Sequence, residues 1–146
     1  GIINKMLPHA KIIYCYRDPM DNCFSLYRNT FAKSGHGYSY DQDKLALHYN
    51  LHTELMNHWR SVLGEKILLL KNESLIDNQK EVTNKLLKHC ELEWEDACLE
   101  FYKTERNVRT ISLRQVRNPI NKNSLGVWKK YSESLKKMND SLREFQ

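Results

Sequence analysis

The run Ile12-Ile13-Tyr14-Cys15-Tyr16 between Lys11 and Arg17 is apolar without alternation. That pattern predicts a short parallel strand from Lys11 to Arg17 with both faces covered. The run stops at Arg17-Asp18-Pro19. Asp18 can accept the free amide hydrogens of a helix start, and Pro19 suits the first helical position, where its missing N–H costs nothing. A helix is therefore expected from Pro19 to about Phe31. Its apolar residues Met20, Cys23, Phe24, Tyr27 and Phe31 recur at spacings of three and four, while Asp21, Asn22, Ser25 and Asn29 fall on a polar face.

A loop with two glycines, Lys33 to Gly37, precedes a long helical pattern from Asp41 to about Leu63. Leu45, His48, Tyr49, His52, Leu55, Met56, Trp59 and Val62 form its predicted buried stripe, and Gly64 stands where a left-handed cap is wanted. A second strand is expected from Lys66 to Lys71. Two strands joined by a helical crossover make a parallel unit whose ligand crevice lies at the carboxyl ends of the strands, where Arg17 and Asn72 fall. Helices are expected near Asn78 to His89 and Glu95 to Tyr102. An irregular basic stretch with Arg106, Arg109, Arg114 and Arg117 follows. A final helix is expected from Ser124, with Trp128, Tyr131, Leu135, Met138, Leu142 and Phe145 in near-heptad spacing. The expected fold class is α/β, a parallel sheet flanked by helices.

The 146 residues are 40% hydrophobic and 28% charged, a composition that folds and fits one domain. The apolar runs are far shorter than the ~20 residues that span a bilayer, so no membrane insertion is expected. A net charge of +5 favours an anionic partner without choosing among nucleotide, nucleic acid and sulfated or phosphorylated substrate. Cys15, Cys23, Cys90 and Cys98 form no C-x-x-C pair. With two of them in apolar segments, they read as buried thiols of a reducing compartment.

Arg17 is the sharpest chemical feature. A guanidinium between a buried strand and a helix start can grip a phosphate in a fork, or can pair with Asp18 or Asp21; both readings stand at this point. Ser25, two turns into the helix, can add a hydroxyl to the same phosphate or can simply be solvated. His48 and His52, four residues apart, have a metal-chelating spacing, but no Glu is placed as in H-E-x-x-H and both fall on the apolar stripe. They are expected in the core or near a nucleotide, and no metal site is expected.

The segment Arg17-Asp18-Pro19-Met20-Asp21-Asn22-Cys23-Phe24-Ser25-Leu26-Tyr27 resembles the R-[DN]-P-x-D-x-x-x-S-x-Y segment of sulfotransferases that use 3′-phosphoadenosine 5′-phosphosulfate (PAPS). Gly35 to Asp41, His48-Tyr49 and Leu55 to Arg60 resemble the middle of bacterial sulfotransferases fused to tetratricopeptide repeats. Cys98 to Thr110 and Gln115 to Ile120 are similar to the same group and, more distantly, to tyrosylprotein sulfotransferases. The resemblance implies a P-loop-NTPase-like sulfotransferase fold in which Arg17 and Ser25 bind the 3′-phosphate. It also implies that Ser112 assists, and that Leu125-Gly126-Val127-Trp128-Lys129 belongs to the G-x-W-[KR] region closing over the nucleotide, with Lys122 nearby.

Two departures qualify the resemblance. Asn72 stands where the family often has a tyrosine against the adenine, so a hydrogen bond can replace stacking there. The P-[KR]-S-G-T-type turn that holds the 5′-phosphosulfate occurs nowhere in the sequence. The resemblance therefore implies the carboxyl-terminal portion of a sulfotransferase domain, incomplete at its N-terminus, with the catalytic base outside it.

The expected activity is transfer of a sulfuryl group from PAPS to a hydroxyl or amine, releasing 3′-phosphoadenosine 5′-phosphate (PAP). The acceptor, whether protein, carbohydrate or small molecule, is left open. The alternatives are a non-catalytic sulfotransferase-like binding module and a basic nucleic-acid-binding domain, the latter without a matching motif. The expected location is the cytoplasm, or the Golgi lumen for a member of the tyrosylprotein branch, and an upstream tetratricopeptide-repeat segment is a candidate partner.

Overall fold

The structure is a computed structural model that describes residues 1–31, 35–104, 116–143 and 145. It is mixed α/β: strands β1 (Ile12–Tyr16) and β2 (Ile67–Lys71) pair in a two-stranded parallel sheet among helices. The α-helices are α1 (Ile2–Met6), α2 (Pro19–Tyr27), α3 (Gln42–Leu63), α4 (Asn72–Asp77), α5 (Gln79–Cys90) and α6 (Lys136–Ser141). The chain groups into two compact units, residues 1–15 with 68–122 and residues 16–67 with 123–146.

The first unit is built on the sheet. Burial along β1 alternates, leaving Ile13 and Cys15 exposed, so the expectation of a strand covered on both faces is corrected. Among the described residues only one face of β1 is covered, which is the usual cause of a period of two. The same geometry corrects the reading of Cys15 as a buried thiol. A ring nitrogen of His89, on α5, lies 3.2 Å from the Ile12 carbonyl, and Lys11 pairs with Glu91. Glu91 closes α5 in the left-handed conformation. Asn72 to Asp77, not anticipated as helical, forms α4 directly after β2. The helix expected near Glu95 to Tyr102 is two 3-10 turns, Asp96–Cys98 and Phe101–Lys103.

The second unit holds the main core. Met20 and Cys23 of α2, Leu45, Ala46 and Tyr49 of α3, and Leu135 and Met138 near the C-terminus are buried together. Each large aliphatic residue so buried stabilises by about 1.5–3 kcal/mol. Asp18 and Pro19 start α2 as expected, with the Asp18 carboxylate accepting the Asp21 amide at 2.8 Å. The helix ends at Tyr27, four residues short of Phe31. The side chain of Asn29 explains this: its amide donates to the Ser25 carbonyl at 2.6 Å, and the Asn29 backbone N–H goes to Leu26 instead.

Helix α3 has the expected limits, with Asp41 as its cap and Gly64 at φ 55° after its end. Its buried face is rotated from the expected stripe. Ala46 and Thr53 are buried, while His48, His52, Leu55 and Val62 are exposed. The partners decide the rotation, because α2 and α6 pack on the Leu45, Ala46 and Tyr49 side. The continuous C-terminal helix expected from Ser124 is instead a 3-10 segment, Val127–Tyr131, and then α6. Two amides on α3 hold the second piece. Gln42 donates to the Ser134 carbonyl at 2.9 Å and accepts from the Met138 amide at 3.2 Å. Asn50 donates to the Ser141 carbonyl at 2.8 Å and accepts from the Arg143 amide at 2.9 Å. Backbone groups at both ends of α6 are thereby satisfied by side chains eight residues apart on α3, where one turn of helix alone leaves them unmatched.

Candidate functional site

Arg17 directly follows β1 and precedes the Asp18 cap of α2, so its side chain leaves the backbone where the strand turns into the helix. The Arg17 side chain is 22% exposed. Its Nη2 donates to the Ser124 carbonyl at 2.7 Å and lies 3.7 Å from the Asp21 carboxylate. Of the two acids proposed to pair with Arg17, Asp21 faces it as an ion pair. The Nε of Arg17 is buried and has no hydrogen-bond partner among the described residues. An unmet buried donor costs about 1–3 kcal/mol, so this guanidinium has bonding capacity that the protein's described groups leave unused.

Asp21, which its spacing puts on the polar face of α2, is only 6% exposed. The Gly126 amide donates to both of its carboxylate oxygens, at 2.8 and 3.0 Å. Gly126 stands at φ 64°, a left-handed conformation that glycine adopts without strain, and it caps the 3-10 segment. The G-x-W segment thus meets the start of α2 through Asp21 and Arg17. The spacing of four between Arg17 and Asp21 was the one sequence signal for this arrangement, and it was compatible with an ordinary surface pair.

The other candidate residues are distributed as follows. Ser25 is half-buried on α2, in the same unit as Arg17. Asn72 opens α4 in the other unit and is half-buried. Lys122 belongs to that unit too and pairs with Asp77, at the end of α4, at 2.6 Å. Ser112 lies outside the described residues, as do Arg106, Arg109 and Arg114.

Neither histidine of the i, i+4 pair is in the core. His48 lies flat on Tyr38, with ring centroids 4.1 Å apart and an interplanar angle of 8°. The basicity of His52 is lowered by desolvation and by the neighbouring His48. Among the described residues no group of three His, Cys, Asp or Glu side chains is arranged to hold a metal, and no helix is long and apolar enough to cross a membrane. Burial, reinforced by Asp18, pushes the Cys23 thiol up to about 12, which makes it a packing residue and a poor nucleophile.

A profile of the sulfotransferase family matches residues 1–96. An uncharacterized protein of Aquifex aeolicus (strain VF5) is 37% identical over 146 residues, which are 99% of this chain and 19% of that protein. The chain spans about a fifth of the length of this curated relative.

Proposed function

The chain belongs to the sulfotransferase family, and from that membership we propose that it supplies the 3′-phosphate half of the nucleotide site of an enzyme that transfers a sulfuryl group from PAPS to a hydroxyl or amine. The observation that carries the reading is the Arg17 guanidinium, anchored on one side and left with a buried, unmatched Nε. A phosphate oxygen is the acceptor best suited to such a fork.

Arg17 and Ser25 would hold the 3′-phosphate, Ser112 would assist, and Asn72 and Lys122 would contribute to the rest of the nucleotide. When bound, PAPS supplies the sulfuryl group. The residues of this chain contribute binding and orientation, keeping the leaving nucleotide fixed while an acceptor attacks sulfur in line. Proton removal from the acceptor would fall to a base outside these 146 residues. The acceptor is a protein, carbohydrate or small molecule, and we place the enzyme in the cytoplasm.

Calorimetric titration of the folded chain with PAP, against 5′-AMP as a control lacking the 3′-phosphate, tests the reading. A preference for PAP supports it. Arg17→Ala should weaken PAP binding by roughly tenfold to a few hundredfold, the range of a charge-assisted bond of ~1.5–3 kcal/mol. Equal affinity for the two nucleotides, or unchanged PAP affinity in a folded Arg17→Ala protein, overturns it.

A further inference from the structure

Resting on that reading, we infer that Asp21 is a positioning residue for Arg17, its buried carboxylate tying the guanidinium to the turn at Gly126 so that the phosphate-gripping group is held in one orientation.

The distances identify what Asp21 does. Its contact to Arg17 Nη2 is 3.7 Å, beyond an ordinary hydrogen bond, whereas Gly126 donates to it at 2.8 and 3.0 Å. The firm bond of the carboxylate is therefore to the turn. The firm bond of the guanidinium, at 2.7 Å, is to Ser124, two residues earlier in that turn. Arg17 and Asp21, one helical turn apart, thus hold two points of the same short segment and close a ring of contacts. Each member is needed by the others. A carboxyl side chain only 5% exposed is costly to bury unless a cation faces it and its lone pairs are met. Arg17 meets the first condition and Gly126 the second.

The consequence for binding is preorganisation. A free arginine loses rotamer freedom when it captures an anion, and that loss is subtracted from affinity. Here the Ser124 carbonyl already fixes Nη2, and Asp21 keeps that carbonyl in place by holding Gly126. At 3.7 Å the Asp21 carboxylate takes no direct hydrogen bond from Nη2, so it does not compete at bonding distance with an anion for the guanidinium N–H groups.

The test uses the 146-residue chain with Asp21→Ala, which removes both roles, and Asp21→Asn, which keeps an oxygen for the Gly126 amide. Two readouts are taken: PAP affinity, and the Arg17 Nε–H resonance in ¹⁵N NMR, whose burial should make its exchange slow. In folded Asp21→Ala we expect PAP binding to weaken by about tenfold and the Nε–H exchange to accelerate. Asp21→Asn should restore most of both. Unchanged or tighter PAP binding in folded Asp21→Ala overturns the inference while leaving the nucleotide reading intact, because the carboxylate then merely opposes the phosphate. If Asp21→Ala does not fold, a folded Asp21→Asn decides: slow Nε–H exchange supports the inference and fast exchange overturns it. If the unaltered chain does not bind PAP, the nucleotide reading fails. The NMR comparison then stands alone, and an Nε–H signal insensitive to Asp21 overturns the positioning role as well.

Discussion

The two units of the chain are held together by different means. In the unit of residues 16–67 and 123–146, Cys23, Leu45, Ala46 and Met138 are at most 1% exposed and belong to one buried cluster. In the unit of residues 1–15 and 68–122, Leu70 and Thr83 are the buried side chains among the described residues, and Ile2, Ile3, Met6, Leu7 and Leu92 are exposed. Cohesion there rests on a two-stranded ladder, which is marginal by itself, and on polar contacts such as that of His89 with the Ile12 carbonyl and that of Gln79 with the Leu99 carbonyl. Arg17, Asp21 and Gly126 all belong to the densely packed unit. Rigid packing beneath a binding group is what keeps its geometry, so the comparison assigns anchoring to one unit and ties opening at low free energy to the other.

Thiol labelling probes this contrast with the largest expected effect. Cys23 is fully buried, with its pKa pushed up to about 12, while Cys15 is exposed. In native protein at pH 8, iodoacetamide should modify Cys15 readily and leave Cys23 untouched until denaturant is added, as read by mass spectrometry of peptides. Labelling of Cys23 at a rate near that of Cys15 would mean that the packed unit opens as easily as its neighbour.

Core truncation comes next. Met138 is 0% exposed within the buried cluster, and Met138→Ala should cost about 2–5 kcal/mol in urea unfolding. Leu92→Ala, at a side chain 61% exposed in the other unit, should change stability by under ~0.5 kcal/mol. Similar losses for the two would erase the distinction.

How far the sequence disclosed this arrangement varies by residue. The β1 to α2 junction was legible because its signals are local: an apolar run, an acid able to cap, and a proline at the first helical position. The limits of α3 were legible for the same reason. What escaped depends on partners distant in sequence. Which face of α3 is buried is chosen by α2 and α6, so Ala46 and Thr53 replaced His48 and His52. The burial of Asp21 depends on Gly126, 105 residues away. The break between Val127–Tyr131 and α6 follows from Gln42 and Asn50, whose amides offer no periodic signature. Arg17 stood out by its place between a strand and a helix start, and the motif that carries the family resemblance added Ser25 as a candidate, whereas the latch beside them left no such mark.

Smaller effects separate packing from polar attachment inside the second unit. Gln42→Ala and Asn50→Ala each remove one donor and one acceptor to the backbone around α6. Each should destabilise by about 1–2 kcal/mol, because the freed backbone groups at this surface can still reach water. Amide hydrogen exchange should speed up at Met138 for Gln42→Ala and at Arg143 for Asn50→Ala. Equal acceleration at both sites in both variants would show that α6 comes off as a whole and that the two clips do not act locally.

Acid response offers a weaker comparison, since among the described residues each unit has one exposed carboxylate held below its ordinary range. For Asp41 the chief cause is the hydrogen bond from the Lys44 amide; for Glu91 it is the hydrogen bond from Lys11. A carboxylate with a depressed folded pKa contributes stability that is complete above its unfolded pKa and disappears as pH falls through the folded value. Melting temperature should therefore gain nothing from these groups above the ordinary carboxylate range and fall below it. Asp41→Asn should flatten that fall in the second unit, while Glu91→Gln should flatten it in the first. A melting curve whose acid limb is unchanged by either variant would locate the acid sensitivity elsewhere.

The smallest structural effect should come from Lys122→Ala. Both members of the Lys122 and Asp77 pair are more than half exposed, and exposed pairs contribute about 0–1 kcal/mol, so the melting temperature should move little. Nucleotide binding is where this residue can speak. If Lys122 contributes to holding PAP, affinity should drop severalfold in the variant while stability stays put, and the drop should shrink with added salt because an exposed lysine acts through a screened charge. Arg17→Ala should show a larger and less salt-dependent loss, its side chain being mostly buried and its guanidinium anchored by the Ser124 carbonyl. A Lys122→Ala protein with unchanged PAP affinity at low salt would remove Lys122 from the site and leave Asn72 as the one candidate contact among the described residues of the loosely packed unit. A loss as large as that of Arg17→Ala would instead mean that the loosely packed unit carries an equal share of the grip, and that anchoring does not follow packing density.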